Sequence, residues 1–170
     1  MRFALGSVLL TITTSSGCGN AYSAETGALW KLGDIVVEQA WARVNPGSAK
    51  TAAVYLTIHN LSADNDYLVA VDSPAASATT IHESQVKNGI ARMVPIPGGV
   101  EMVSHSEVIM RPGALHIMLT GISGALSPGE NLPVRMIFRD AGTLEFEVPV
   151  IKIGGPDPSL KHLGHAAEPN

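Results

Sequence analysis

The sequence predicts a single-domain, all-β sandwich, and three observations predict it. Short runs rich in Val, Ile and Thr recur along the chain and are bounded by turn formers, with 17 Gly and 11 Pro available to make the turns. The runs follow one another at intervals near ten residues, the spacing of sandwiches and barrels. No segment of useful length carries the 3.6-residue apolar period of a helix. A chain of 170 residues that is 45% hydrophobic and 15% charged suits one globular core.

In order, the strand-like runs are Ile35 to Val44, Ala52 to His59, Tyr67 to Val71, Thr79 to Val86, Ile90 to Val94, Glu107 to Met110, Ala114 to Thr120, Val134 to Arg139 and Leu144 to Ile153. Between them stand Asn45-Pro46-Gly47, Ser62 to Asp66, Lys87-Asn88-Gly89, Pro97-Gly98-Gly99, Arg111-Pro112-Gly113, Ser127-Pro128-Gly129 and Asp140-Ala141-Gly142, all suited to turn dihedrals. Asn88-Gly89 is the strongest hairpin signal, because the favoured two-residue turn needs positive φ at both central positions. That hairpin is expected to bring His82 and Met93 toward each other.

The ends of the chain read as processing and tail segments. Arg2, the apolar stretch Phe3 to Ile12 and the small polar residues Thr13 to Ala24 have the layout of a secretory signal peptide. The apolar stretch falls short of the ~20 residues a membrane-spanning helix needs. Residues 1–23 are assigned to the signal, 24–34 to a linker, 35–153 to the folded domain and 154–170 to a mobile, histidine-containing tail. Cleavage near Ser23 is the preferred reading, with lipid attachment at Cys18 the alternative. Both place the domain outside the cytosol, with no membrane span.

Cys18 is the single cysteine, so the domain contains neither a disulfide nor a thiolate metal site. With 15 acidic against 11 basic residues and no basic cluster, nucleic acid is not an expected partner.

The chemistry gathers in Leu115-His116-Ile117-Met118-Leu119, where period-2 alternation puts Leu115, Ile117 and Leu119 on one face and His116 with Met118 on the other. A neutral imidazole beside a thioether is a soft donor pair suited to reduced copper. The hairpin adds His82 and Met93. Two imidazoles and two thioethers do not suit calcium or magnesium, which take oxygen ligands. Each residue also has a plain structural reading: His82 on a strand surface, Met93 as a gap filler, His116 and Met118 as a partly covered patch.

His82 and Met93 are separated by ten residues, and His116-Ile117-Met118 follows after 22 more. This pattern resembles the periplasmic copper chaperones of the PCuAC type, known for His-x10-Met followed after about 21 residues by His-x-Met. The extra residue is read as a loop insertion around Pro97 to Val103. Trp41-Ala42-Arg43, Pro46-Gly47, Ala53-Val54-Tyr55, Ser73-Pro74-Ala75, His82-Glu83, Pro112-Gly113 and Glu147-Val148-Pro149-Val150 also resemble family positions, so the likeness spans Ile35 to Val150.

The resemblance implies a cupredoxin-like Greek-key sandwich holding one Cu(I) per chain through His82, Met93, His116 and Met118. It further implies a periplasmic protein that supplies copper for cytochrome c oxidase assembly, with an oxidase subunit or another copper chaperone as acceptor. Thioethers suit an oxidising compartment, where thiols would form disulfides.

Other residues read as structure. His59 and His105 are expected to be solvent-exposed without a ligand role, and Met102, Met110 and Met136 to pack. Trp41 and Tyr55 read as core aromatics, and Arg43, Asp66 and Glu83 as surface or pairing charges. His162 and His165 are a candidate second copper site in the tail. An electron-transfer cupredoxin would need a cysteine thiolate that the domain lacks. A metal-free exported binding module is the main rival, and no enzyme motif is present, so no enzymatic activity is expected.

Overall fold

The computed structural model describes residues 28–44 and 50–152. The expected signal peptide with Cys18, the turn at 45–47 and the tail with His162 and His165 lie outside these residues. Eleven strands are described: β1 (Trp30–Leu32), β2 (Ile35–Val44), β3 (Thr51–Asn60), β4 (Asp66–Asp72), β5 (Ala78–Lys87), β6 (Ile90–Pro95), β7 (Val100–Met102), β8 (Ser106–Met110), β9 (Leu115–Thr120), β10 (Asn131–Phe138) and β11 (Thr143–Ile151). Two of them depart from the sequence reading. Residues 30–32, taken as linker, pair with the start of β2, and Val100–Met102, taken as loop, pairs with β4.

The strands follow the order β6-β5-β9-β3-β2-β11-β10-β4-β7, with β1 added to β2 and β8 to β3. Among the described residues the strand pairings are antiparallel except the join between β11 and β2, where Val150 faces Ala42 and Ile151 faces Arg43. Two sheet halves fold over one core to which Val37, Ile58 and Leu119 contribute from one side and Leu68, Met136 and Val148 from the other. Along β11 the alternation is strict, with Leu144, Phe146, Val148 and Val150 inward and the residues between them exposed. Met102, Met110 and Met136 are all buried, as expected.

One irregularity matters for the outer face. β2 and β3 shift register between Glu38 and Trp41, and Gln39 adopts φ 53°. Two residues of β2 therefore oppose one of β3, a β-bulge. Ile35 and Val37 point into the core before it, and Ala40 and Ala42 after it. The odd positions beyond the bulge, Trp41 and Arg43, are thereby turned to the outer face.

The turns behave as their chemistry demands. Asn88 and Gly89 have φ of 54° and 76°, so the two-residue hairpin between β5 and β6 forms as expected. At Gly99, with φ 79°, a Cβ would lie 2.5 Å from the Leu68 carbonyl oxygen, and only glycine permits β7 to approach β4.

Asp66 is 5% exposed and acts as an anchor rather than as a surface charge. Its carboxylate accepts hydrogen bonds from the backbone N–H groups of Tyr67, Asp140 and Ala141 at 2.6, 3.0 and 2.9 Å. Burial pushes its pKa up, but these backbone donors together outweigh burial and hold it below the usual carboxylate value. Asp66→Ala should cost on the order of 2–3 kcal/mol in urea unfolding, the range for losing hydrogen bonds to a charged group. Because the folded pKa lies below the unfolded value near 3.9, the stabilisation is present above about pH 4 and is lost as pH falls through the folded value. An unchanged urea midpoint at pH 7 would show that the carboxylate anchors nothing.

Candidate metal centre

Four neighbouring strands each place one ring in a row across the outer face. On β2 and β3, Trp41 is directly opposite Tyr55; on β9 and β5, His116 is directly opposite His82. Ring centroids are 4.4 Å apart for Trp41 and Tyr55, 6.2 Å for Tyr55 and His116, and 5.9 Å for His116 and His82. Trp41, 1% exposed, is buried as expected, with its ring against Tyr55 rather than within the main apolar cluster.

The thioethers flank the imidazole pair diagonally. Met118 lies two residues beyond His116 on β9, opposite Ala53 of β3 and Thr80 of β5. Met93 lies on β6 opposite Ser84, two residues beyond His82 on the same face. Diagonal neighbours in a sheet remain within reach of long side chains. Met93, His116 and Met118 line one groove of about 300 Å³, together with Arg43, Tyr55, Ser84 and Gly113 among others. His82 stands beside that groove as the cross-strand partner of His116.

Local structure prepares both imidazoles. His116 is 5% exposed, and its Nδ1 lies 2.9 Å from the Ala114 carbonyl oxygen. A carbonyl can only accept, so Nδ1 carries the proton and Nε2 keeps its lone pair. Such a second hydrogen bond is how proteins fix the tautomer and orientation of a metal-binding histidine. His82 has a buried Nδ1 with no hydrogen-bond partner among the described residues. Burial, and then repulsion from His116, push the His82 pKa below the usual histidine value, which keeps its imidazole neutral.

Among the described residues, no group of three or more His, Cys, Asp or Glu side chains is placed to hold an ion. The groove offers nitrogen and thioether sulfur instead. Met93 is 57% exposed, which leaves one side of the donor set open to another molecule.

The remaining candidates fall elsewhere. His59 is half-buried, not solvent-exposed as expected, with Nε2 3.1 Å from Glu38 and Nδ1 3.6 Å from Glu107. His105 sits in a turn with φ 51°. The sequence reading missed Arg43, whose guanidinium carbon lies 4.8 Å from the Trp41 ring centroid. Its spacing of two from Trp41 on one strand was the available signal.

The profile of the LpqE-like family, described as "Putative lipoprotein LpqE-like", matches residues 35–150. The chain belongs to the LpqE-like family. A relative of this LpqE-like protein is "Putative lipoprotein Lxx21020" of Leifsonia xyli subsp. xyli, 30% identical over 92% of each chain. "Uncharacterized protein RP573" of Rickettsia prowazekii is 28% identical over 60% of this chain and 58% of its own.

Among solved structures, the copper-bound PCuAC domain from PmoF2 superposes with a TM-score of 0.61 at 22% identity, covering 73% of this chain and 97% of that domain. Apo-DR1885 from Deinococcus radiodurans gives 0.55 at 23% identity, covering 89% and 100%. The LpqE-like chain therefore has the cupredoxin-like fold of PCuAC domains, as its sequence led us to expect.

Proposed function

We propose that this protein is an exported copper chaperone that binds one Cu(I) through His82, Met93, His116 and Met118 and supplies it for cytochrome c oxidase assembly in the periplasm. The observation that carries the reading is the cross-strand pairing of His82 with His116, flanked diagonally by Met118 and Met93 at one open groove. Neutral imidazole and thioether donors favour Cu(I) and bind it without the tenacity of a thiolate cage, as a carrier requires. Membership in a family described by the word lipoprotein supports export and favours Cys18 as a lipid attachment point over cleavage near Ser23. Acylation would appear as a mass increase that Cys18→Ser abolishes, and an unmodified protein cleaved near Ser23 would reject the anchor. The oxidase link rests on the motif resemblance.

Anaerobic Cu(I) titration against a chromophoric competitor tests the reading, with X-ray absorption to count donors. One equivalent should bind with mixed nitrogen and sulfur ligation. Met93→Ile and Met118→Ile should each weaken binding with the fold intact, and wild-type affinity in both would refute the site. Bound copper requires both imidazoles neutral. The His82 pKa is depressed, so its neutral form persists below the ordinary histidine value of about 6.5. Affinity should hold from pH 8 to about 6.5 and fall below that. A flat profile down to about pH 4.5 would contradict histidine ligation.

A further inference from the structure

The surroundings of the donor groove reverse the charge of the chain. The protein has 15 acidic and 11 basic residues. Among the described residues, the one charged side chain lining the groove is nevertheless Arg43, and no carboxylate lines it. Lys50 precedes Thr51 in the chain and Arg111 lies two residues before Gly113, whereas Arg92, next to Met93 on β6, falls on the other face of that strand. Glu83, next to Ser84 on β5, falls on the other face of its strand, where its Oε2 accepts a hydrogen bond from Gln85 at 2.7 Å. Acids gather instead around a separate groove, where Asp34, Asp64, Asp66 and Asp140 lie by the paired ends of β2 and β3 at Ile35 and Asn60.

Positive charge beside a cation site does not help to retain the cation, since like charges repel. It has another use. Arg43 is braced against Trp41, and its Nε is buried with no hydrogen-bond partner among the described residues. That buried Nε lies out of a partner's reach, but a guanidinium held in place at the groove can offer its terminal N–H groups to a carboxylate, which such a group can bind with two parallel hydrogen bonds. Exposed Met93 provides apolar contact area in the same groove as Arg43.

Resting on the copper-chaperone reading, we infer that this groove docks an acidic protein surface, one that places carboxylates around its own copper-accepting centre and pairs one of them with Arg43. Opposite charge draws the partner in and orients it. Its carboxylates also offset the local positive charge while the ion passes across.

The inference is testable with the loaded protein and two synthetic acceptor peptides that share a Cys-x-x-Cys copper site, one flanked by aspartates and the other by lysines. Cu(I) affinity is measured first for the wild type and each variant, and transfer rates are then compared at full loading by anaerobic stopped flow. At low salt the aspartate-flanked peptide should take copper about tenfold faster or more, the lower end of electrostatic steering. The preference should shrink toward 1 M salt, where the screening length falls to about 3 Å. Arg43→Gln should reduce the preference, and so should Arg111→Glu at an exposed turn, which keeps the test open if Arg43→Gln misfolds. Equal rates for both peptides, a preference insensitive to salt, or variants that keep the wild-type preference would overturn the inference. A wild type that takes up no copper would instead overturn the copper reading.

Discussion

Replacing His116 and Met118 together by alanine should abolish measurable Cu(I) binding. Loss of even an outer-shell partner of a metal ligand typically weakens affinity 10–100-fold, so removing two direct donors should exceed on the order of 100-fold. The variant should also be less stable, because His116 is 5% exposed and its Nδ1–H bond to Ala114 helps to hold the turn entering β9. A folding control is therefore part of the experiment. The far-ultraviolet spectrum should remain that of a β protein, since Ile117 and Leu119 on the opposite face keep β9 in the core. A folded double variant with copper affinity within tenfold of wild type would place the ion elsewhere.

The second large effect is expected in the cell. Deleting this protein should lower cytochrome oxidase activity when copper is scarce, and added copper should restore it. A carrier speeds delivery without creating metal, so excess ion bypasses it. Loss of an electron carrier or adhesion module could not be repaired in that way. The His116, Met118 double variant should behave like the deletion. Truncation after Ile153 should be milder, because it removes His162 and His165 but none of the four proposed donors. Full oxidase activity in the deletion strain at the lowest copper supply that supports growth would sever the oxidase link and leave copper binding to stand alone.

Strand positions were legible because alternation and turn chemistry are local. β11 shows this in Leu144, Phe146, Val148 and Val150, and the β5–β6 hairpin shows it in Asn88-Gly89. Short strands without a pattern were not legible: three residues at Trp30–Leu32 and three at Val100–Met102 are defined only by the strands they pair with. The bulge at Gln39 was equally hidden, since Gln carries no signal for positive φ. Trp41 is buried as expected, but the bulge sets its ring in the row with Tyr55 rather than in the main apolar cluster.

The spacing that singles out the four candidate donors was legible through its resemblance to the PCuAC pattern. Their arrangement was not, because the pairing of β5 with β9 joins segments about 34 residues apart, from His82 to His116. Arg43 and Asp66 were both read as ordinary charges. Their roles depend on partners distant in sequence, the Trp41–Tyr55 stack for one and the Asp140–Ala141 turn for the other.

The strand carrying Met93 ends the order of strands among the described residues, and every residue of Ile90–Pro95 is exposed. Such a margin can template the addition of another strand, so self-assembly into fibres is a hazard built into this position. Two residues oppose it: Arg92 sets a charge in the middle of the strand, and Pro95 removes a backbone donor at its end. The apolar neighbours Ile90 and Val94 remain 57% and 37% exposed beside them. Neutralising Arg92 would thus carry a colloidal consequence as well as an electrostatic one, and the solubility of the purified protein would register it.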